Sequence, residues 1–280
     1  MNVLMDQKID KIRINMERIR WLPADLGKKY IMVNLPEYSL KYFKDDTLRL
    51  EMKIIIGEID NYTPILMDTM KYIVFNPLWN VPRSIASDKM LKNLKSDRDY
   101  YKKSNFTFLR SSYSSGDTVA TDSIDWNNIP EEKFPYYVVQ ESGKTNSLGL
   151  VKFMFPNNYH IYLHDTPREE LFQKQDRDLS HGCIRLDKPL ELAEMMLKDQ
   201  DISGENIQEM LMEEKPDTVY LQENVMVHFV YHTAWVDDPG NIYFRDDVYG
   251  LDKKAISLLY DYQARKLFYS FRPNCTWIGK

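Results

Sequence analysis

The sequence predicts a mainly β chain with flanking helices, and three observations carry that reading. Leu48, Leu50, Met52, Ile54 and Ile56 alternate with Arg49, Glu51 and Lys53, the period-2 pattern of a strand with one buried face. Short apolar runs of strand length recur at 30–35, 39–43, 70–75, 150–155 and 160–164. The chain has 280 residues, 43% of them hydrophobic and 13% aromatic, enough for a sizeable core in one large domain or two small ones and too many for general disorder.

Taken in order, Ile9, Ile12, Met16 and Ile19 fall at helical spacing, which predicts an amphipathic helix from Asp6 to Arg20 that ends before Pro23 and packs through that stripe. The strand runs follow from Tyr30 to Phe75. From Ser84 to Thr145 the chain turns polar and irregular, which predicts a mobile or helical excursion beside the site rather than a bare loop. Strand character returns at Leu150–Phe155, turns at Pro156-Asn157-Asn158 and resumes at His160–His164 as a hairpin. Asp187 is placed to cap a helix opened by Pro189 and continued by Leu192, Ala193, Met196 and Leu197. A late strand pair, 226–235 and 241–244, flanks the turn Asp237-Asp238-Pro239-Gly240.

Charge and cysteine content narrow the function. Thirty-seven basic against 42 acidic residues give a net charge of -5 without long single-sign blocks, which argues against nucleic acid as the partner. The two cysteines, Cys183 and Cys275, suggest no disulfide framework. The first residues lack an apolar core of signal-peptide length, and no segment approaches the ~20 apolar residues of a membrane span. The expectation is a soluble chain without membrane contact of its own, cut from a longer exported precursor.

The chemistry concentrates in Ser180-His181-Gly182-Cys183-Ile184-Arg185 and the preceding Tyr162-Leu163-His164-Asp165. A thiol is mostly protonated at neutral pH, so a nucleophilic Cys183 needs a base. Alternation along 160–164 would put His160, Tyr162 and His164 on one face, with Ile161 and Leu163 on the other. His164 is then the candidate base, while Tyr162 and the amides around Cys183, which Gly182 lets approach closely, would meet a developing oxyanion. Arg185 offers a fork for a substrate carboxylate, and His160 is either structural or substrate-facing. His181 either braces the turn or joins the site. The backbone carbonyl of Asp165 orients His164 better than its carboxylate, because adjacent strand residues point apart. A buried, inert cysteine is one rival, which the surrounding Ser, His, Gly and Arg argue against, and a zinc site built from His160, His164, His181 and Cys183 is the second. Residues four apart on a strand are about 13 Å from one another, which argues against His160 and His164 sharing one ion.

These residues resemble the signature of the L,D-transpeptidases of the YkuD type, with His164 and Cys183 19 positions apart. Segments 16–23, 76–82, 148–153, 161–167 and 233–236 are similar to the large periplasmic subgroup of that family. The resemblance implies a bent β-sheet or sandwich catalytic domain with an inserted capping subdomain. The chain then divides into an N-terminal helical segment (1–26), a catalytic domain (27–250, with the cap at 84–147) and a C-terminal helical or irregular tail (251–280). It further implies that Cys183 attacks the third-residue carbonyl of a peptidoglycan stem tetrapeptide and expels D-alanine. Transfer to an amine on a second stem would form a 3→3 cross-link. His164 would be the base, oriented by the carbonyl of Asp165, with Tyr162 and the amides near Cys183 stabilising the oxyanion, and no metal or organic cofactor would be needed. Ser180, His181 and Arg185 would shape the pocket and Trp79 would line the groove. The implied setting is the periplasm or cell envelope, with stem peptides as donor and acceptor and carbapenems as inhibitors. Hydrolysis of the same acyl-enzyme, or a wall-binding module without activity, are the alternatives. Segment 140–146 departs from the subgroup's proline-containing version and gives no reading of the cap's hinge.

Overall fold

The computed structural model describes residues 5–270 apart from Arg98 and Asp238, so Cys275 lies outside the described residues. The chain begins with α1 (Met5–Ile19), then β1 (Lys29–Asn34), β2 (Ser39–Lys44), β3 (Thr47–Gly57) and β4 (Leu66–Phe75). Next come β5 (Trp79–Asn80), α2 (Arg83–Ile85), a π turn at Ala86–Met90, α3 (Leu91–Ser96), α4 (Tyr100–Lys103), β6 (Phe106–Leu109) and β7 (Tyr137–Gln140). The remainder is β8 (Val151–Met154), β9 (Leu163–His164), β10 (Asp178–Ser180), β11 (Ile184–Leu186), α5 (Pro189–Leu197), α6 (Gly204–Met212), β12 (Asp217–Val230), β13 (Ala234–Val236), β14 (Ile242–Phe244) and α7 (Leu251–Ser270).

The main sheet runs β3-β11-β9-β8-β4-β12-β1-β2, and β2 pairs back onto β3, so the sheet closes on itself with β10 added beside β3. Closure leaves one inner face, filled by alternating residues such as Ile31, Val33, Ile54, Ile73, Phe153, Leu163, Ile184 and Phe229, all fully buried. Each such side chain stabilises the fold by roughly 1.5–3 kcal/mol relative to exposure. Helix α5 adds Leu192, Ala193, Met196 and Leu197 to the same core.

Residues 79–140 build a second centre. Here β5, β7 and β6 form a small sheet, and Val81, Met90, Leu91, Leu94, Tyr101, Phe108, Trp126 and Val138 bury one another apart from the main core. The polar excursion thus contains strands as well as helical turns. Its junction with the barrel runs through 140–147. Gln140 donates to the Ser104 and Thr145 carbonyls, and Asn146 donates to those of Pro77, Gln140 and Glu141.

Five local expectations are corrected. Helix α1 buries Ile14, Asn15 and Arg18 and leaves Ile9, Met16 and Ile19 exposed. Its buried face makes polar contacts, with Asn15 bonded to Thr233 and Arg18 to Asp252. Leu48 is exposed because a bulge skips Arg49, pairing Tyr42 with Leu50 and Phe43 with Leu48, and one extra residue flips the faces beyond it. The second hairpin strand is only Leu163–His164, since His160 has φ +55 and sits in a turn. The cap before α5 is Lys188, not Asp187. The late pair splits, with β12 joining the main sheet while β13 and β14 pair alone.

Candidate active site

Strand register assembles the site. Strand β11 lies parallel to β9, with Ile184 opposite Leu163 and Arg185 opposite His164, and the Ile184 N–H donates to the Tyr162 carbonyl at 3.2 Å. Leu163 and Ile184 face the core with no exposure. Their neighbours Tyr162, His164, Cys183 and Arg185 therefore share the outer face. Strand β8 adds Lys152 to that face, opposite His164.

His164 is held at one nitrogen. Its Nδ1 lies 2.5 Å from the Asp165 carbonyl oxygen. A carbonyl only accepts, so Nδ1 carries the proton and Nε2 keeps its lone pair. The Asp165 carboxylate is engaged elsewhere, accepting 2.7 Å bonds from the Leu150 and Thr166 amides, while burial raises its pKa. Gly149 makes that possible. With φ +61, it leaves space where a Cβ would lie 2.2 Å from Asp165 Oδ2. Burial, then the nearby Arg185 charge, pushes His164 down to about 3 against the pull of the Asp165 carbonyl.

Cys183 is half-buried and closely ringed by protein. Its Sγ is 3.9 Å from the His160 carbonyl oxygen, and both the hydroxyl and the amide of Tyr162 are within bonding reach of it. Burial nevertheless outweighs these donors and Arg185, lifting the thiol to about 11. The Tyr162 hydroxyl faces Cys183 on one side and takes a hydrogen bond from Trp79 on the other. Burial first, then Cys183, raises its pKa. The ring of Tyr162 lies 5.7 Å from that of His164 and has Lys152 Nζ 5.9 Å away.

The loop before Cys183 is tied at each residue. Ser180 Oγ donates to the Cys183 carbonyl at 2.7 Å and accepts the Gly182 amide at 3.1 Å, so Ser180 braces the turn. Gly182 has φ +107, and Ile161 Cδ1 would sit 3.2 Å from any Cβ there. His181 Nδ1 lies 3.8 Å from Glu58, whose carboxylate also accepts from Lys89 at 3.5 Å. Burial first, then Lys89, lowers its pKa. Arg185 is mostly covered, its Nε buried without a partner. The His160 side chain is exposed and contributes its carbonyl to the site.

The structure thus brings together Tyr162, His164, the Asp165 carbonyl, Cys183, Arg185 and Trp79. Sequence reasoning missed Lys152, Thr63, Glu58, Gly57 and Gly149. Of these, only the glycines carried a signal, as isolated breaks at strand ends. Among the described residues, no group of three or more His, Cys, Asp or Glu side chains is placed to hold a metal ion. A cavity of about 1120 Å³ lies between α1, α7 and the 175–177 loop and contains none of the site side chains.

Residues 28–220 match the model of the YkuD family, the L,D-transpeptidase catalytic domain. A Haemophilus influenzae protein provisionally named an L,D-transpeptidase is 35% identical over 244 residues, 87% of this chain and 48% of that protein. The chain therefore spans about half the length of that curated relative. Among solved structures, an L,D-transpeptidase from Mycobacterium smegmatis is 13% identical with a TM-score of 0.33, covering 72% of this chain and 58% of its own. L,D-transpeptidase 3 from Mycobacterium tuberculosis is 11% identical with a TM-score of 0.33, covering 72% and 61%. Both are likenesses too distant to bear on any residue.

Proposed function

Because the chain belongs to the YkuD family of L,D-transpeptidase catalytic domains, we propose that it is a cysteine acyltransferase acting on peptidoglycan stem peptides. The observation that supports this reading is the β9–β11 register, which puts Cys183 level with Tyr162 and on the same face as His164, whose imidazole is held by the Asp165 carbonyl. The raised thiol and depressed imidazole make the resting pair neutral. His164 Nε2 therefore takes the Cys183 proton as sulfur bonds to the third-residue carbonyl of a tetrapeptide, rather than before. Collapse of the tetrahedral adduct breaks the C–N bond, and the leaving D-alanine nitrogen takes that proton from His164. An acceptor amine then attacks the thioester, losing its proton to His164, and sulfur leaves to recover it.

The oxyanion needs donors, and the loop narrows the choice. The Gly182 amide is committed to Ser180 Oγ and the Ile184 amide to the Tyr162 carbonyl. The Cys183 amide, together with the Tyr162 hydroxyl, is the donor pair left for the substrate. Arg185 and Lys152 supply positive charge beside the site for a stem-peptide carboxylate. The stem peptides of the wall lie outside the cytoplasmic membrane, so the envelope is the proposed location. No helix among the described residues is long and apolar enough to cross a membrane.

The test is incubation with purified tetrapeptide stems, with products resolved by mass spectrometry. A cross-linked dimer that disappears in Cys183→Ala is expected. Tripeptide as the sole product would replace transfer by hydrolysis, and product formation by Cys183→Ala would overturn the reading.

A further inference from the structure

Behind the Cys183 loop, on the side away from His164's strand, a buried threonine makes a contact that the reaction above does not use. Thr63, 1% exposed, donates from Oγ1 to the Gly182 carbonyl at 2.7 Å and accepts the Gly57 amide at 2.9 Å. Tyr249 closes the arrangement. Its hydroxyl donates to the Gly57 carbonyl at 2.6 Å and accepts the Thr63 amide at 3.3 Å. Tyr249 is fixed in turn, its own amide donating at 2.8 Å to Tyr231 Oη, which donates to Asp247. The packing admits no slack, because a Cβ on Gly57 would lie 2.1 Å from the Asn61 carbonyl oxygen and 3.0 Å from Gly182 Cα.

The Gly182 carbonyl and the Cys183 N–H belong to one planar trans peptide, so they point in opposite directions. Clamping the oxygen on Thr63 therefore aims the N–H away from Thr63. The next peptide is anchored too, with the Cys183 carbonyl on Ser180 Oγ and the Ile184 N–H on Tyr162. We infer that Thr63, supported by Tyr249, is a positioning residue that presets the Cys183 amide as an oxyanion donor. This rests on the reading of Cys183 as nucleophile. An oxyanion donor acts only if it already points at the developing charge, and Thr63 supplies that orientation without touching substrate.

The prediction separates oxyanion chemistry from thiol reactivity. Acylation by a carbapenem passes through a tetrahedral oxyanion: sulfur bonds to the lactam carbonyl, the ring C–N bond breaks, and the ring nitrogen takes the thiol proton. Alkylation by iodoacetamide forms a C–S bond and expels iodide without any oxyanion. Thr63→Val keeps shape and removes the hydroxyl. In the full chain it should slow carbapenem acylation, followed by intact mass, by about tenfold or more, while iodoacetamide alkylation of Cys183, resolved from that of Cys275 by peptide mass mapping, keeps its wild-type rate. Thr63→Ser, which retains the hydroxyl, should restore most of the acylation rate. Tyr249→Phe should show the same selective loss to a smaller degree, and carries the test alone if Thr63→Val does not fold.

Wild-type acylation in the hydroxyl-less variants, or equal loss of acylation and alkylation, overturns the inference. So does failure of Thr63→Ser to recover. A carbapenem adduct on Cys183→Ala, which still carries Cys275, would instead remove the reading on which it stands.

Discussion

The barrel wall that carries Cys183 and the insert that meets it at Trp79 are built on different plans. The wall is aliphatic and paired strand by strand, so the outward positions of β9 and β11 are set by inward Leu163 and Ile184. The insert is held by aromatic contacts, with Phe108 5.1 Å from Trp126 and 6.2 Å from Tyr136, and Tyr136 5.9 Å from Phe134. The insert touches the wall at Tyr162, whose pKa burial raises, through Trp79, and at Glu58 through Lys89. On the proposed function this difference becomes a division of labour, in which the wall performs the chemistry and a separately cored insert governs what reaches it.

The largest effects belong to the wall. Cys183→Ala should abolish carbapenem acylation, and His164→Gln should slow it by about 10²–10⁴-fold, both without unfolding the barrel. Intact-mass kinetics checks the rates and thermal melting the fold. If His164→Gln acylates at the wild-type rate, the base lies elsewhere and the comparison loses its first term.

The insert should behave in the opposite way. Trp126 is 3% exposed within the aromatic cluster, and Trp126→Ala should cost about 3–5 kcal/mol there. Hydrogen exchange should speed up across 83–140 while β8, β9 and β11 stay protected. Carbapenem acylation should persist, and cross-linking of stem peptides should fall. Loss of protection in both regions together would show one cooperative unit and break the contrast.

The pH dependence sharpens the account of the wall. With the thiol at about 11 and His164 at about 3, iodoacetamide alkylation of Cys183, mapped apart from that of Cys275, should climb steadily from pH ~6 to ~10, because only the thiolate reacts. A plateau across neutral pH would reveal a preformed thiolate–imidazolium pair. Stability carries the matching sign. The unfolded chain protonates its histidine near 6.5, whereas folded His164 resists until about 3, so its contribution is intact above pH 6.5 and lost as pH falls through that window. His232, pushed down to about 4 by burial and Arg18, adds to the same loss. Thermal melts across this range measure it.

How much of this was legible in the sequence differs between the two regions. The Tyr162/His164 alternation and the Ser180–Arg185 run exposed the groups proposed to react, since period 2 and side-chain chemistry are local. The register that joins them is not local. Nineteen positions separate His164 from Cys183, and only the closed sheet decides that Arg185 sits opposite His164. His160 went astray for the same reason, because a left-handed turn ends the alternation at Ile161. A single threonine in a polar stretch carries no pattern, so Thr63 became visible only through its partners. In the insert, strands of two to four residues are too short for periodicity. Its junction was unreadable because Gln140 and Asn146 work through backbone carbonyls. In α1 the apolar stripe misled, since the buried face is organised around Arg18 and Asp252.

The smallest predicted effect lies where wall and insert touch by charge. Lys89, on the insert's π turn, reaches Glu58 at 3.5 Å, and His181 lies 3.8 Å from the same carboxylate. The pair is largely exposed, so Lys89→Ala should change stability by no more than about 1 kcal/mol. Its electrostatic effect is nonetheless specific. Lys89 opposes protonation of His181, while Glu58 favours it. Removing the lysine should therefore raise the His181 pKa, although burial, the larger cause, keeps it below the free value. Glu58→Gln should move it the other way. Histidine ring titrations by NMR distinguish the two. Equal titration in all three proteins would mean that the insert does not reach the Cys183 loop through this contact, leaving Trp79 as its remaining link to the reacting groups.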